Sequence, residues 1–130
     1  MTKRIMHGRG QALIEFAMAL PLILIFWMFL FDFGRITYYL SVLNNAAREA
    51  ARYGIVNSTN VAGITNVVYD MAIGIDSSDL FVTVSTIEEG TVIVVGIDYQ
   101  YVPVTPLVAS LLGDGGGIPV NTQASMLIEP

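Results

Sequence analysis

Gly8-Arg9-Gly10-Gln11-Ala12-Leu13-Ile14-Glu15-Phe16-Ala17 opens a segment that continues through Met18-Ala19-Leu20-Pro21-Leu22-Ile23-Leu24-Ile25-Phe26-Trp27-Met28-Phe29-Leu30-Phe31 before the next charge, Asp32. Read as helix from Ala12 to Gly34, it is roughly 34 Å long at ~1.5 Å per residue. A bilayer core is ~30 Å thick, so the segment is long enough to cross it once. Glu15 stands alone at its mouth. An ionisable group placed there is by default a candidate functional site.

Composition agrees with a membrane segment. Of 130 residues, 54% are hydrophobic and only 13% charged, too apolar for an ordinary small soluble domain. Lys3, Arg4 and Arg9 precede the apolar run. By the positive-inside rule that end stays in the cytoplasm and the rest is exported. Cut after Gly10, the remainder keeps three basic and eleven acidic residues, a formal charge of −8. Such a surface argues against a nucleic-acid partner, which demands basic patches. With no cysteine, neither a disulfide nor a thiolate metal site supports the fold.

An ordinary secretory signal fits poorly. Ala17-Met18-Ala19 has the small-x-small pattern but lies at the start of the apolar core, and Phe31-Asp32-Phe33-Gly34-Arg35 after it is a poor site. A retained anchor remains. Beyond it, apolar residues recur at Ile36, Tyr39, Leu40, Leu43, Ala46, Ala47, Ala50 and Ala51, at spacings of three and four. This is an amphipathic helix continuing the apolar one, with Gly54 as its expected C-cap. Asn57-Ser58-Thr59-Asn60 reads as a turn and N-cap region. A second helix is expected over Val61 to Ile73, with Val61, Ile64, Val67, Val68 and Met71 on one face and Gly74 at its end.

The period then falls to two. Leu80–Ile87, Thr91–Val102 and Ile118–Ile128 read as strands, the first two joined by a hairpin turn at Glu88-Glu89-Gly90. Thr105 to Leu112 reads as a short helix capped by Thr105, with Pro106 at its first position. The predicted class is α+β: a long N-terminal helix, half transmembrane, packed on a small antiparallel sheet head with a short second helix. The expected divisions are a basic leader (1–10), a transmembrane helix (11–34), its exported continuation (35–54) and an α+β head (55–130).

Candidate site residues are few. Glu15 is either an interfacial carboxylate solvated by headgroup water or a specific ion-pair partner. Cleavage after Gly10 would create an α-amino cation at Gln11, one helical turn away, and a pair between adjacent chains would set their register more than their stability. Pro21 removes a helix hydrogen bond and is either an ordinary transmembrane proline or a built-in weak point. Asp32 and Arg35 read as an interfacial stop signal with an intrahelical pair. Asn44, Asn45, Arg48, Glu49 and Arg52 read as a solvated stripe. No catalytic constellation emerges, since His7 is the only histidine and lies in the leader. Asp76-Ser77-Ser78-Asp79 and Gly113-Asp114-Gly115 lack the spacing of a calcium loop, and Gly115-Gly116-Gly117 lacks the strand-to-helix setting of a phosphate loop. No cofactor is expected.

Gly10, Gln11 and Glu15-Phe16 ahead of an apolar helix resemble the class III signal of type IV pilin-like proteins. More narrowly, residues 9–17 with Pro21, then Phe33-Gly34-Arg35 and Asn45 to Gly54, resemble the TadE-like family, pseudopilins or minor pilins of the tight-adherence (Tad/Flp) pilus system. Val102-Pro103 with Thr105-Pro106-Leu107, and the closing Ala124 to Glu129, fit the same family. The resemblance implies a non-enzymatic subunit cut by a prepilin peptidase between Gly10 and Gln11, with Glu15, Phe16 and Pro21 serving recognition and assembly. It implies other pilin subunits, Tad assembly membrane proteins and membrane lipid as partners. It places the chain in the cytoplasmic membrane before assembly into a surface pilus. The rival reading is an unprocessed single-pass membrane protein with an exported interaction domain.

Overall fold

A computed structural model describes residues 7–87, 91–112 and 117–128 of the chain. Helix α1, His7–Val56, is followed by α2 (Val61–Met71), a 3-10 turn (Ser77–Asp79), β1 (Leu80–Ile87), β2 (Val92–Tyr101), α3 (Pro106–Leu112) and β3 (Ile118–Leu127). The three strands form one antiparallel sheet in the order β1-β2-β3. The architecture is α+β, with a long apolar N-terminal helix beside a small sheet.

The two halves of α1 differ in what surrounds them. Apart from the half-buried Ala19, residues 10–31 are exposed, including Leu13, Phe16, Leu22, Phe26 and Phe31. From Asp32 upward one side of the helix is covered by the head. Tyr39, Leu43, Ala46, Ala47, Ala50 and Ala51 are buried against α2 and the inner face of the sheet. That face is built by alternate residues: Ile93, Val95, Ile97 and Tyr101 of β2 are buried, flanked by Val82 and Val84 on β1 and by Val120 and Ala124 on β3. The alanines set the closeness of the helix to the sheet, because small side chains let β2 lie directly on the backbone. Thr122 of β3 donates to Oδ1 of Asn44, a second tie between α1 and the sheet.

Several expectations change. The amphipathic face is correct except at Leu40, which is 43% exposed. Asn44, read as part of a solvated stripe, is half-buried against β3. Gly54 does not cap α1 but lies within it. A Cβ there would fall on the terminal methyl of Ile93, so glycine is favoured here by packing rather than by turn geometry. In α2 only Ile64 and Val68 are fully buried, with Val67 half-buried. Val61 and Met71 at the ends face outward, because a helix of 11 residues meets the core through its middle. Asn60 caps α2 by accepting from the N–H of Gly63 at 3.0 Å, and Gly74, at φ +83°, lies three residues past the helix end. The strands match the alternation to within a residue or so at their ends. The predicted turn at Glu88-Glu89-Gly90, the glycine loop at 113–116 and the leader residues Lys3 and Arg4 lie outside the described residues.

Candidate functional site

Two regions of α1 bear polar groups in an otherwise apolar setting. The first is its beginning. Gly10, Gln11, Glu15, Phe16 and Pro21 are all exposed and none touches the head. Gln11 Nε2 donates to Oε1 of Glu15 at 3.2 Å, one turn along the helix. This side-chain bond joins two residues of the predicted processing and assembly set. A Cβ at Gly10 would meet nothing within 4 Å, so this glycine answers no packing need within the chain. Helix α1 runs through Pro21 without interruption.

The second region, at Asp32, departs from the sequence reading. Asp32 is only 6% exposed. Its Oδ1 accepts from the hydroxyl of Tyr101 at 2.9 Å and the N–H of Val104 at 3.1 Å, and its Oδ2 accepts from the N–H of Thr105 at 3.1 Å. The Thr105 hydroxyl donates to the carbonyl of Met28, one turn further down α1, at 3.3 Å. Its own carbonyl accepts from the N–H of Ala109 in α3, at 3.0 Å. Thr105 thus begins α3 as expected, but its hydroxyl reaches across to α1. Arg35 Nη2 donates to the hydroxyl of Tyr39 at 2.9 Å. Its guanidinium lies 5.4 Å and 5.7 Å from the ring centres of Tyr39 and Tyr101, within the range of cation–π attraction. Tyr39 meets Tyr99 edge-on at 5.7 Å and Tyr101 at 5.9 Å.

The expected intrahelical pair is therefore replaced by a clamp. A carboxylate removed from water needs compensating donors, and the end of β2 and the loop after it supply three. The bond to Tyr39 raises the pKa of Arg35 further, with burial opposing and the charge of Asp32 adding through space. Burial, then the bond to Asp32, pushes the phenol of Tyr101 up to about 12. Burial likewise raises Tyr99. Sequence reasoning missed the clamp because Asp32 and its partners are separated by 69 to 73 positions. The available signal was a carboxylate inside an apolar run, the same feature that singled out Glu15.

The outer face of the sheet holds a shallow concavity of about 450 Å³ over Gly96, lined by Thr83, Ser85, Asp98, Asn121 and Gln123. Asp98 is its one carboxylate. Asp76 serves its own turn, accepting from the N–H and hydroxyl of Ser78 at 3.0 and 2.8 Å. Among the described residues no group of three or more histidine, cysteine, aspartate or glutamate side chains converges as a metal site would.

Nearly the whole of α1, from its exposed start through Asp32 to the alanine stripe, is the part of the chain that a comparison matches. Residues 10–52 match the model of the TadE-like protein family. The TadE-like segment takes in Gly10, Glu15, Pro21, Asp32, Arg35 and the alanine stripe, and stops before the head. The family is one of pilus structural and assembly proteins, not of enzymes. The chain thus carries a TadE-like segment, and the helix that bears it is long and apolar enough to cross a membrane. No curated protein and no solved structure matches the chain.

Proposed function

We propose that this chain is a minor pilin or pseudopilin of a Tad-type pilus or its assembly machinery. A prepilin peptidase cuts it between Gly10 and Gln11. The lower half of α1 holds the subunit in the cytoplasmic membrane, with the N-terminus in the cytoplasm and the head exported, until it joins other pilin subunits. The observation that carries this reading is the TadE-like match over a helix whose residues Gly10 to Phe31 are exposed, apart from the half-buried Ala19, and carry a single carboxylate, Glu15. Apolar surface of that extent is not left to water. It is matched to lipid before assembly and to other helices afterwards.

Glu15 takes the role of pairing with the amino terminus of a neighbouring subunit. In the uncut helix its partner is the Gln11 side chain, an exposed and weak bond that a charged amino group displaces. Cutting at Gly10–Gln11 requires the start of α1 to open. Gly8 and Gly10 favour this, since each glycine weakens a helix by about 1 kcal/mol relative to alanine.

Intact-mass analysis of the protein purified from its native membrane tests the reading. The expected mature chain begins at Gln11. A chain that retains Met1 through Gly10 in assembled material sinks the pilin assignment and leaves an unprocessed single-pass membrane protein with an exported interaction domain.

A further inference from the structure

We infer that the loop Val102-Pro103-Val104-Thr105-Pro106, with α3 behind it, rests in the membrane leaflet on the head's side, as a second lipid contact beside α1. The inference rests on the reading of the lower half of α1 as a membrane span. Its own warrant is the height at which the clamp holds this loop.

The stretch from Gln11 to Phe31 extends ~31 Å at ~1.5 Å per residue, the thickness of a ~30 Å hydrocarbon core. Asp32 therefore lies at the boundary between acyl chains and headgroups. The loop is tied to that level and below it: Val104 and Thr105 donate to Asp32, and the Thr105 hydroxyl reaches down to Met28. With its backbone so fixed, the loop leaves Val102 64% exposed and Val104 68% exposed, whereas Pro103 between them is buried. The two valines are thus exposed on a loop whose backbone is fixed at the level of Asp32.

Composition agrees with this placement. From Tyr99 to Gly113 the sequence has no charged residue, and it includes Pro106-Leu107-Val108-Ala109-Ser110-Leu111-Leu112. Tyr38, which is exposed, and the half-buried Arg35 and Tyr99 lie just above Asp32, and aromatic and basic side chains concentrate at the headgroup level. An uncharged loop held at that level with Val102 and Val104 exposed has the character of an interfacial element, set ~5–10 Å into the headgroup and acyl boundary. The occupant of this surface is lipid, since the surface is continuous with the bare face of α1. The competing occupant, a neighbouring subunit in a filament, is separated by the test.

The full chain in phosphatidylcholine nanodiscs provides that test. Trp27 is the only tryptophan, so V104W in a W27F background reports on the loop alone, and the unaltered chain reports on the span. The expected result is blue-shifted emission from the indole introduced by V104W, quenching by lipids brominated near the top of the acyl chains, and protection from aqueous iodide. V102W behaves alike, and a retained β-sheet circular dichroism signal certifies the fold of both variants. Quenching of the V104W and V102W indoles by iodide but not by brominated lipid overturns the inference while Trp27, still quenched by brominated lipid, upholds the span. Shielding of the loop that arises only in assembled filaments overturns it in favour of a subunit contact. If Trp27 itself escapes brominated lipid, the span fails and the loop's lipid contact fails with it.

Discussion

Replacing Asp32 by asparagine keeps its size and isolates its hydrogen-bond chemistry. One carboxylate oxygen accepts from Tyr101 and Val104, the other from Thr105. Whichever way an asparagine amide turns, its NH2 faces a donor, because both positions are ringed by N–H or O–H groups. A buried donor left unsatisfied costs about 1–3 kcal/mol. Asp32→Asn should lower head stability by that amount in denaturant titrations of the detergent-solubilised chain. Tyr101 adds a pH dependence. Its phenol titrates at about 12 in the folded head against an ordinary 10.0. The neutral phenol is the form favoured by folding, so this stabilisation is complete below pH 10 and is lost as pH rises from 10 to about 12. At about 1.4 kcal/mol per pH unit, the loss sums to about 2–3 kcal/mol. Tyr101→Phe should be less stable at neutral pH and should lack the alkaline loss attributable to this group. Stability curves of both chains across that pH range check the prediction.

At the scale of elements, the contact between α1 and β2 depends on a glycine whose role no local rule reveals. Gly54 sits in the helix, where alanine would add up to about 1 kcal/mol of helix propensity. Against this, a Cβ would collide with the end of Ile93, which is fully buried. Overpacking a filled site costs about 1–3 kcal/mol, so Gly54→Ala should be net destabilising. In an Ile93→Val background the colliding methyl is absent, and the same substitution should become neutral or stabilising. A double-mutant cycle measured by thermal melting reads this coupling directly; equal costs in both backgrounds would refute it. Gly54 also shows what was legible from sequence. A glycine after a periodic stretch signals a helix end, and that rule placed the C-cap two residues before the actual end at Val56. The strands were read well because alternation is a local property that one buried face enforces: Leu80 to Ile87 needed no knowledge of its partner. The clamp was not legible for the converse reason. Nothing near Asp32 or Arg35 in sequence announces Tyr101, Val104 or Thr105, and two oppositely charged residues three apart suggest a local pair. Tertiary donors outcompete that pair because they satisfy the carboxylate where water cannot reach it.

At the scale of the molecule, the carboxylate proposed to serve assembly and the one that holds the fold lie far apart on one helix. Glu15 and Asp32 stand 17 residues apart, ~26 Å along α1, and share no partner. Substitutions that far apart act independently. Glu15→Ala should therefore leave membrane insertion, peptidase processing and the head's melting temperature unchanged, while reducing recovery of the subunit in the sheared surface-pilus fraction. Asp32→Asn should do the opposite: normal insertion and processing, but a head that melts earlier and is cleaved faster by added protease. A loss of pilus incorporation in Asp32→Asn that is restored by lowering the temperature identifies the head's stability as its cause. The same rescue in Glu15→Ala would contradict a pairing role, because a missing charge at the subunit contact is not repaired by refolding the head. The two variants, measured side by side for protease resistance and pilus incorporation, thus decide whether the lone carboxylate near the start of α1 serves the filament while the buried one above it serves the fold.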